Sequence, residues 1–152
     1  MTHSTTAPAP VVVVSISRQE LRCGELCFRV STGANGVGSE EGSGKTPLGR
    51  FRIHSRHGEN APLLTVFRGR LPVGLYPQAA RGQDAILTRI LTLDGLEPAN
   101  ANTRARYIYL HATPEVELLG TPASHGCIRL SPQDMLTLFS ACPIGTVVRI
   151  EM

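Results

Sequence analysis

The run Ser124-His125-Gly126-Cys127-Ile128-Arg129 places a thiol in a short glycine-containing turn, just ahead of the strand-like pair Ile128 and Leu130. A thiol so placed can face solvent while neighbouring backbone N–H groups converge on one point. Acyl transfer at a cysteine needs a thiolate, a base to form it and donors for the tetrahedral oxyanion. The N–H groups of Gly126 and Cys127 are the candidate donors, and Gly126 lets the backbone approach closely. Two histidines are candidate bases. His125 is two residues from the thiol, and a flanking histidine usually points elsewhere, to orient substrate or the turn. His111 ends the alternating run Tyr107-Ile108-Tyr109-Leu110, and a strand end can aim an imidazole across a cleft, so His111 is the better candidate. Its other ring nitrogen needs a partner to fix the tautomer; residue types leave a backbone carbonyl and a carboxylate equally open. An imidazolium beside Cys127 would draw the thiol pKa toward neutrality. On residue types alone, the same run is equally an ordinary turn around a buried cysteine.

The elements that must position these groups read as short strands. Val11–Ser17 and Leu26–Thr32 are β-branched or alternating, with Arg22-Cys23-Gly24-Glu25 as the hairpin turn between them. Gly33–Thr46 is a Gly/Ser/Glu loop. Phe51–Ser55, Leu63–Phe67, Ala85–Leu93 and Tyr107–His111 are further strands, Asp94-Gly95 is a turn signal, and Glu97–Arg104 is a polar loop. One helix is clear: Ser131 fits its N-cap, Pro132 its first position and Asp134 its first turn. Met135, Leu136, Leu138 and Phe139 give it an apolar stripe, Pro143 ends it, and Gly145 turns the chain into a last strand, Thr146–Ile150. The expected fold is mainly β, a small sandwich or barrel with one or two short helices. Residues 1–10 are expected to be a flexible leader and 11–152 a single domain.

With 152 residues and 41% hydrophobic content, the chain suffices for one domain with its own core. Its net charge of +3 comes from 14 arginines and the single Lys45 against 12 acidic residues. The arginines are scattered rather than striped with aromatics, which argues against a nucleic-acid partner. No apolar run is long enough to span a membrane, and Val11–Val14 is too short and lacks the basic start of a secretory signal. The expected compartment is therefore the cytoplasm, with the periplasm or cell wall as the alternative if an export signal precedes this chain. Cys23, Cys27, Cys127 and Cys142 read as free, largely buried thiols. Ser39–Thr46 imitates a phosphate-binding loop but starts on serine, carries Glu40 and Glu41, and runs into Pro47. His54, His57 and His111 lack the accompanying ligands of a metal motif, so neither a metal nor a cofactor is expected. A serine penicillin-binding enzyme is excluded, because Ser-x-x-Lys is missing before Lys45.

The segment from His111 to Leu130 resembles the signature of the L,D-transpeptidase catalytic-domain family (YkuD-type): a histidine ending a strand, a spacer, then Ser-His-Gly-Cys, an apolar residue and Arg or Asn. His111 and Cys127 are 16 apart, which fits. Thr46-Pro47-Leu48-Gly49-Arg50-Phe51 is similar to the family's Thr-Pro-x-Gly-x-Phe run. Val30-Ser31-Thr32-Gly33 resembles the strand end before it, and Ile144-Gly145-Thr146-Val147-Val148 the closing strand. The resemblance covers nearly the whole chain after residue 10 and implies a YkuD-like β-sandwich.

By this resemblance Cys127 is the nucleophile, His111 the base, and Gly126 and Cys127 supply the oxyanion hole, with Ser124, His125 and Arg129 lining the site. Ala112 replaces a usual glycine, at the position expected to give the carbonyl that orients the base. The implied substrate is a peptidoglycan stem peptide, attacked at an L-centre with loss of terminal D-Ala; carbapenem-type inhibitors are implied as well. Arg129, Arg104 and Arg106 are candidates for holding substrate carboxylates. Water as acceptor makes the protein an L,D-carboxypeptidase of peptidoglycan recycling. An amine makes it an L,D-transpeptidase of the wall. Loss of catalysis would leave a muropeptide-binding module.

Overall fold

The computed structural model describes residues 10–82 and 84–152. The expected leader therefore lies, apart from Pro10, outside the described residues. Among the described residues, ten strands form one curled sheet. Strands β1 (Val11–Ser15), β2 (Glu20–Cys23) and β3 (Leu26–Arg29) make an antiparallel meander. Strand β1 also lies parallel to β10 (Val147–Glu151), which pairs antiparallel with β4 (Gly49–His57). The long β7 (Ile86–Gly95) is the hub. It pairs with β4, with β5 (Thr65–Arg68) of the β5–β6 hairpin, whose other strand is Leu71–Leu75, and with β8 (Tyr109–Ala112). Strand β8 in turn runs parallel to the short β9 (Ile128–Leu130). The mainly-β fold is the one expected, with α1 (Pro132–Ala141) its one α-helix among the described residues.

Alternation decides which face each residue serves. In β4, Phe51 and Ile53 are buried while Arg52 and His54 are exposed. On β8 and β9, Leu110, Ala112, Ile128 and Leu130 turn into the main core, where Met135, Leu138 and Phe139 of α1 cover them. The other face carries only a small cluster, Phe67, Ile90 and Tyr109, against which Cys127 packs. The thiol thus sits on the thinly covered side of the sheet. Helix α1 begins as the sequence predicts: Ser131 Oγ accepts the Asp134 N–H at 3.1 Å.

Four local expectations are corrected. Arg22 and Cys23 belong to β2, and only Gly24-Glu25 turns. Strand β6 went unforeseen because Leu71–Leu75 is exposed at every position and so shows no alternation. Asp94-Gly95 ends β7 instead of turning. Glycine is required there by close approach, since a Cβ on Gly95 would stand 1.9 Å from the Asn100 carbonyl oxygen. Cys27 is exposed, because it points outward from the sheet edge.

Among the described residues no helix is long and apolar enough to cross a membrane. Removing the N-cap by Ser131→Ala is expected to lower stability by about 1 kcal/mol, read as a lower urea midpoint with an unchanged slope.

Candidate active site

Three separate stretches of chain converge on the cysteine turn. Ser31 exchanges two backbone hydrogen bonds with Arg129, both 3.0 Å. Thr32 O accepts the N–H groups of Ala123 and Ser124 at 2.8 Å, and Ala34 N donates to Ser124 O at 2.9 Å. From the far end of the Gly33–Thr46 loop, Thr46 Oγ1 donates to the Gly126 carbonyl and accepts the Gly33 N–H, each at 2.8 Å. Gly126 holds φ +124°, and a Cβ there would lie 3.1 Å from Lys45 O and 3.2 Å from Ile108 Cδ1. Glycine is required both for the backbone angle and for the space.

Strands β8 and β9 are parallel, with His111 opposite Arg129 and Leu110 opposite Ile128. Cys127, one residue before β9, therefore falls opposite Tyr109 and shares a face with His111. Two residues along a strand and one across a ladder put their backbones roughly 8 Å apart, within reach of a thiol and an imidazole. His111 is buried, and its Nδ1 donates to the carbonyl of Ala112 at 2.8 Å. That bond leaves Nε2 as the free acceptor and settles the choice left open by the sequence: the orienting partner is a backbone carbonyl. Burial lowers the His111 pKa from its ordinary value, outweighing the opposing effects of the Ala112 carbonyl and of Asp84. The ring is neutral, and basic, at neutral pH.

The sulfur accepts the Tyr109 N–H at 3.3 Å and directs its S–H to the Tyr107 carbonyl at 3.4 Å. Burial pushes the thiol up to about 11, against the pull of the Tyr109 N–H, Arg129 and Arg106. Both shifts favour the neutral forms of the two groups at rest. Tyr107 and Tyr109 also line a cavity of about 460 Å³, together with Ser55, His57, Arg70 and Arg104. The segment whose backbone holds the sulfur thus forms one wall of the cavity.

Other expected site residues are engaged with the chain around the turn. Ser124 Oγ donates to the Cys127 carbonyl at 2.7 Å and accepts the Gly126 N–H at 3.1 Å. The Gly126 N–H is thus already engaged, leaving that of Cys127 as the oxyanion donor among the two expected. Arg129 is 1% exposed and bonds Asp84 at 2.7 Å, Glu115 at 2.8 Å and Ser31 Oγ at 3.1 Å. With two carboxylates already on its guanidinium, it has no charge to offer a substrate. Arg106 donates to Lys45 O at 2.7 Å and to Gly38 O and Ser43 Oγ at 3.3 Å, bracing the Gly33–Thr46 loop. Arg104 alone of the three arginines faces the cavity. His125 is exposed, with Nδ1 2.8 Å from Asp84 Oδ2.

Asp84 is the residue that sequence reasoning missed. It joins His125 to Arg129. Burial raises its pKa, but His125, His111 and Arg129 outweigh that and hold it below the usual carboxylate range. Its φ of +63° is one that Asp tolerates better than most residues, the only local hint of a special position. No group of three or more His, Cys, Asp or Glu side chains is placed to hold a metal among the described residues.

A thiol at the head of one strand and a tautomer-fixed imidazole on the parallel strand beside it, next to a segment that walls a cavity, make the layout of a cysteine acyl-transfer domain. The chain belongs to the YkuD family: the model of the L,D-transpeptidase catalytic domain matches residues 9–150. No curated protein matches significantly. Solved structures agree in fold. An L,D-transpeptidase from Xylanimonas cellulosilytica is 20% identical with a TM-score of 0.62, over 97% of this chain and 62% of that one. L,D-transpeptidase 3 from Mycobacterium tuberculosis, solved with a faropenem-derived adduct, is 22% identical with a TM-score of 0.63, over 95% of this chain and 61% of that one. A Cys-to-Ser mutant of the Enterococcus faecium L,D-transpeptidase is 16% identical with a TM-score of 0.59, over 93% and 49%. The chain spans about three fifths of the length of the first solved structures it matches.

Two outcomes follow from the electrostatics. Because the thiol titrates near 11, iodoacetamide alkylation of Cys127, resolved from Cys27 by peptide mapping, should rise about tenfold per pH unit from 7 to 10; a plateau starting near pH 7 would reveal a preformed thiolate. Arg129→Met should cost roughly 3 kcal/mol in chemical denaturation, because Asp84 and Glu115 lose their shared cation.

Proposed function

We propose that this chain is a cysteine acyl-transfer enzyme acting on peptidoglycan stem peptides at an L,D-peptide bond, with Cys127 as nucleophile and His111 as base. The observation that carries the reading is the Nδ1 bond of His111 to the Ala112 carbonyl, which leaves Nε2 unprotonated on the face shared with Cys127. Both groups start neutral, so the proton leaves sulfur as sulfur attacks, and His111 acts as a general base rather than as half of an ion pair.

The S–H leaves the Tyr107 carbonyl for Nε2 while the S–C bond forms at the carbonyl of the L-centre. The Cys127 N–H meets the developing oxyanion. Collapse breaks the C–N bond, the imidazolium returns its proton to the departing amine of D-Ala, and a thioester remains. Water, deprotonated by the same imidazole, then regenerates the thiol and releases the shortened peptide.

Water is the acceptor we assign, which makes the activity that of an L,D-carboxypeptidase. Arg70 and Arg104 line the cavity and, among the described residues, no carboxylate does, so an acceptor arriving as an ammonium is disfavoured from that side. The four free cysteines, Cys27 exposed among them, suit a reducing compartment. That supports a cytoplasmic role in peptidoglycan recycling over one in wall crosslinking.

Incubating the protein with a diaminopimelate-containing tetrapeptide, with and without an amine acceptor, tests the assignment. Tripeptide and free D-Ala are expected as the main products in both cases, and crosslinked dimer as the main product would replace hydrolysis by transpeptidation. Cys127→Ala should lower turnover by about a thousandfold or more. A carbapenem should add its mass to Cys127, as faropenem has left an adduct on the Mycobacterium tuberculosis relative.

A further inference from the structure

The cavity walled by Tyr107 and Tyr109 is unbalanced in charge. Its walls come from β4 (His54, Ser55, His57), the β5–β6 turn (Arg70), β7 (Thr92) and the segment leading into β8 (Arg104), and no Asp or Glu is among them. Of the fourteen arginines, four, Arg22, Arg56, Arg129 and Arg149, meet a carboxylate within 4 Å among the described residues, and of the others Arg70 and Arg104 are the two that line this cavity. Arg70 and Arg104 form no such pair among the described residues. Arg70 is nonetheless positioned: its Nη1 donates to Tyr109 Oη at 3.0 Å, which leaves the rest of its fork free over the cavity. The polar floor is already satisfied. Ser55 Oγ lies 2.9 Å from His57 Nε2 and 2.6 Å from Thr92 Oγ1.

Two guanidinium groups without counter-charges, one from the β5–β6 turn and one from the segment leading into β8, line a cavity walled by the residues that hold the sulfur, and suit an anion carried by the reacting molecule itself. The planar fork of arginine matches a carboxylate through two parallel hydrogen bonds. A primary amide in the same place offers one acceptor and turns its NH2 donors toward N–H groups, so it fits neither the charge nor the donor pattern. The backbone of Tyr107 and Tyr109 touches the sulfur, and their side chains line the cavity. The cavity therefore neighbours the site of attack through this segment.

We infer that this cavity is a carboxylate-recognition subsite, in which Arg70 and Arg104 select acyl-donor peptides bearing a free carboxylate next to the scissile bond over the corresponding amides. The inference deepens the acyl-transfer reading and rests on it for the identity of the donor. Two carboxylates of a donor tetrapeptide qualify: the side-arm carboxylate of the diamino acid and the C-terminal carboxylate of the departing residue.

Equilibrium binding to the Cys127→Ala protein tests this without turnover. The probes are a diaminopimelate tetrapeptide, its side-arm amide and its C-terminal amide. One of the two amides should bind about tenfold more weakly than the free acid, and which one it is identifies the recognised carboxylate. Adding Arg70→Gln and Arg104→Gln, both at exposed positions, should weaken the acid and erase that difference. Equal binding of all three peptides by the Cys127→Ala protein would overturn the inference, as would a preference that survives loss of both arginines. Turnover is scored separately on the protein with Cys127 intact. If it consumes none of the peptides while the acid preference persists, the acyl-transfer reading fails and the carboxylate subsite stands.

Discussion

The buried guanidinium of Arg129 is the constraint on which the site depends. Its backbone exchanges hydrogen bonds with Ser31, and its side chain reaches Ser31, Asp84 and Glu115. One residue thereby ties β9 to the segment after β3, to the stretch before β7 and to the loop after β8. A cation this deeply buried is tolerable only with its charge paired, so the carboxylates are required by Arg129 as much as they secure it. Nε has no hydrogen-bond partner among the described residues, so both carboxylates fall to Nη1, while Nη2 bonds the Ser31 hydroxyl. With β9 fixed, Cys127 stands at a set register opposite Tyr109, and His111 stands two residues further along the same face.

The same rigidity accounts for the electrostatics. Covering the thiol and the imidazole penalises the charged form of each, which raises Cys127 and lowers His111. An ion pair at rest would need a cost in desolvation that a single neighbour does not offset. The neutral pair avoids it and postpones charge separation until the oxyanion forms, when the Cys127 N–H is there to meet it. Protection of a resting thiol and reactivity toward a bound acyl donor are thus two consequences of one burial.

What was legible in the sequence was local or periodic. Ser131, Pro132 and Asp134 announce α1 because N-capping is a matter of a few adjacent residues. Phe51 and Ile53 announce β4 because one face is buried and the other wet. The pairing of His111 with Cys127 came from a motif whose spacing reflects the parallel β8–β9 ladder. Polar groups were harder to read. Arg129 looked like a ligand for substrate, but its charge is spent on Asp84, forty-five positions away in sequence, and nothing in the composition of either segment links them. Ser124 and Arg106 are engaged in the same way, by Gly126, Cys127 and Lys45 of the chain itself, a use of hydroxyl and guanidinium that residue types do not reveal. Arg70 escaped notice because β6 carries no burial pattern, so the hairpin that presents it was invisible. The segments that matched the family piecemeal, from Ser31 to Gly33, around Thr46 and through Ser124 to Arg129, turn out to be hydrogen-bonded to one another.

The central claim is that an acyl group passes through the sulfur of Cys127. Mixing the protein with donor tetrapeptide, quenching in acid within the first turnover and measuring intact mass followed by peptide mapping tests it most directly. The account predicts a transient adduct equal to the donor less its terminal residue, carried by the peptide containing Cys127 and removed by hydroxylamine as a thioester is. Product formation with no such adduct, or an adduct on Cys27 or any residue other than Cys127, would contradict it.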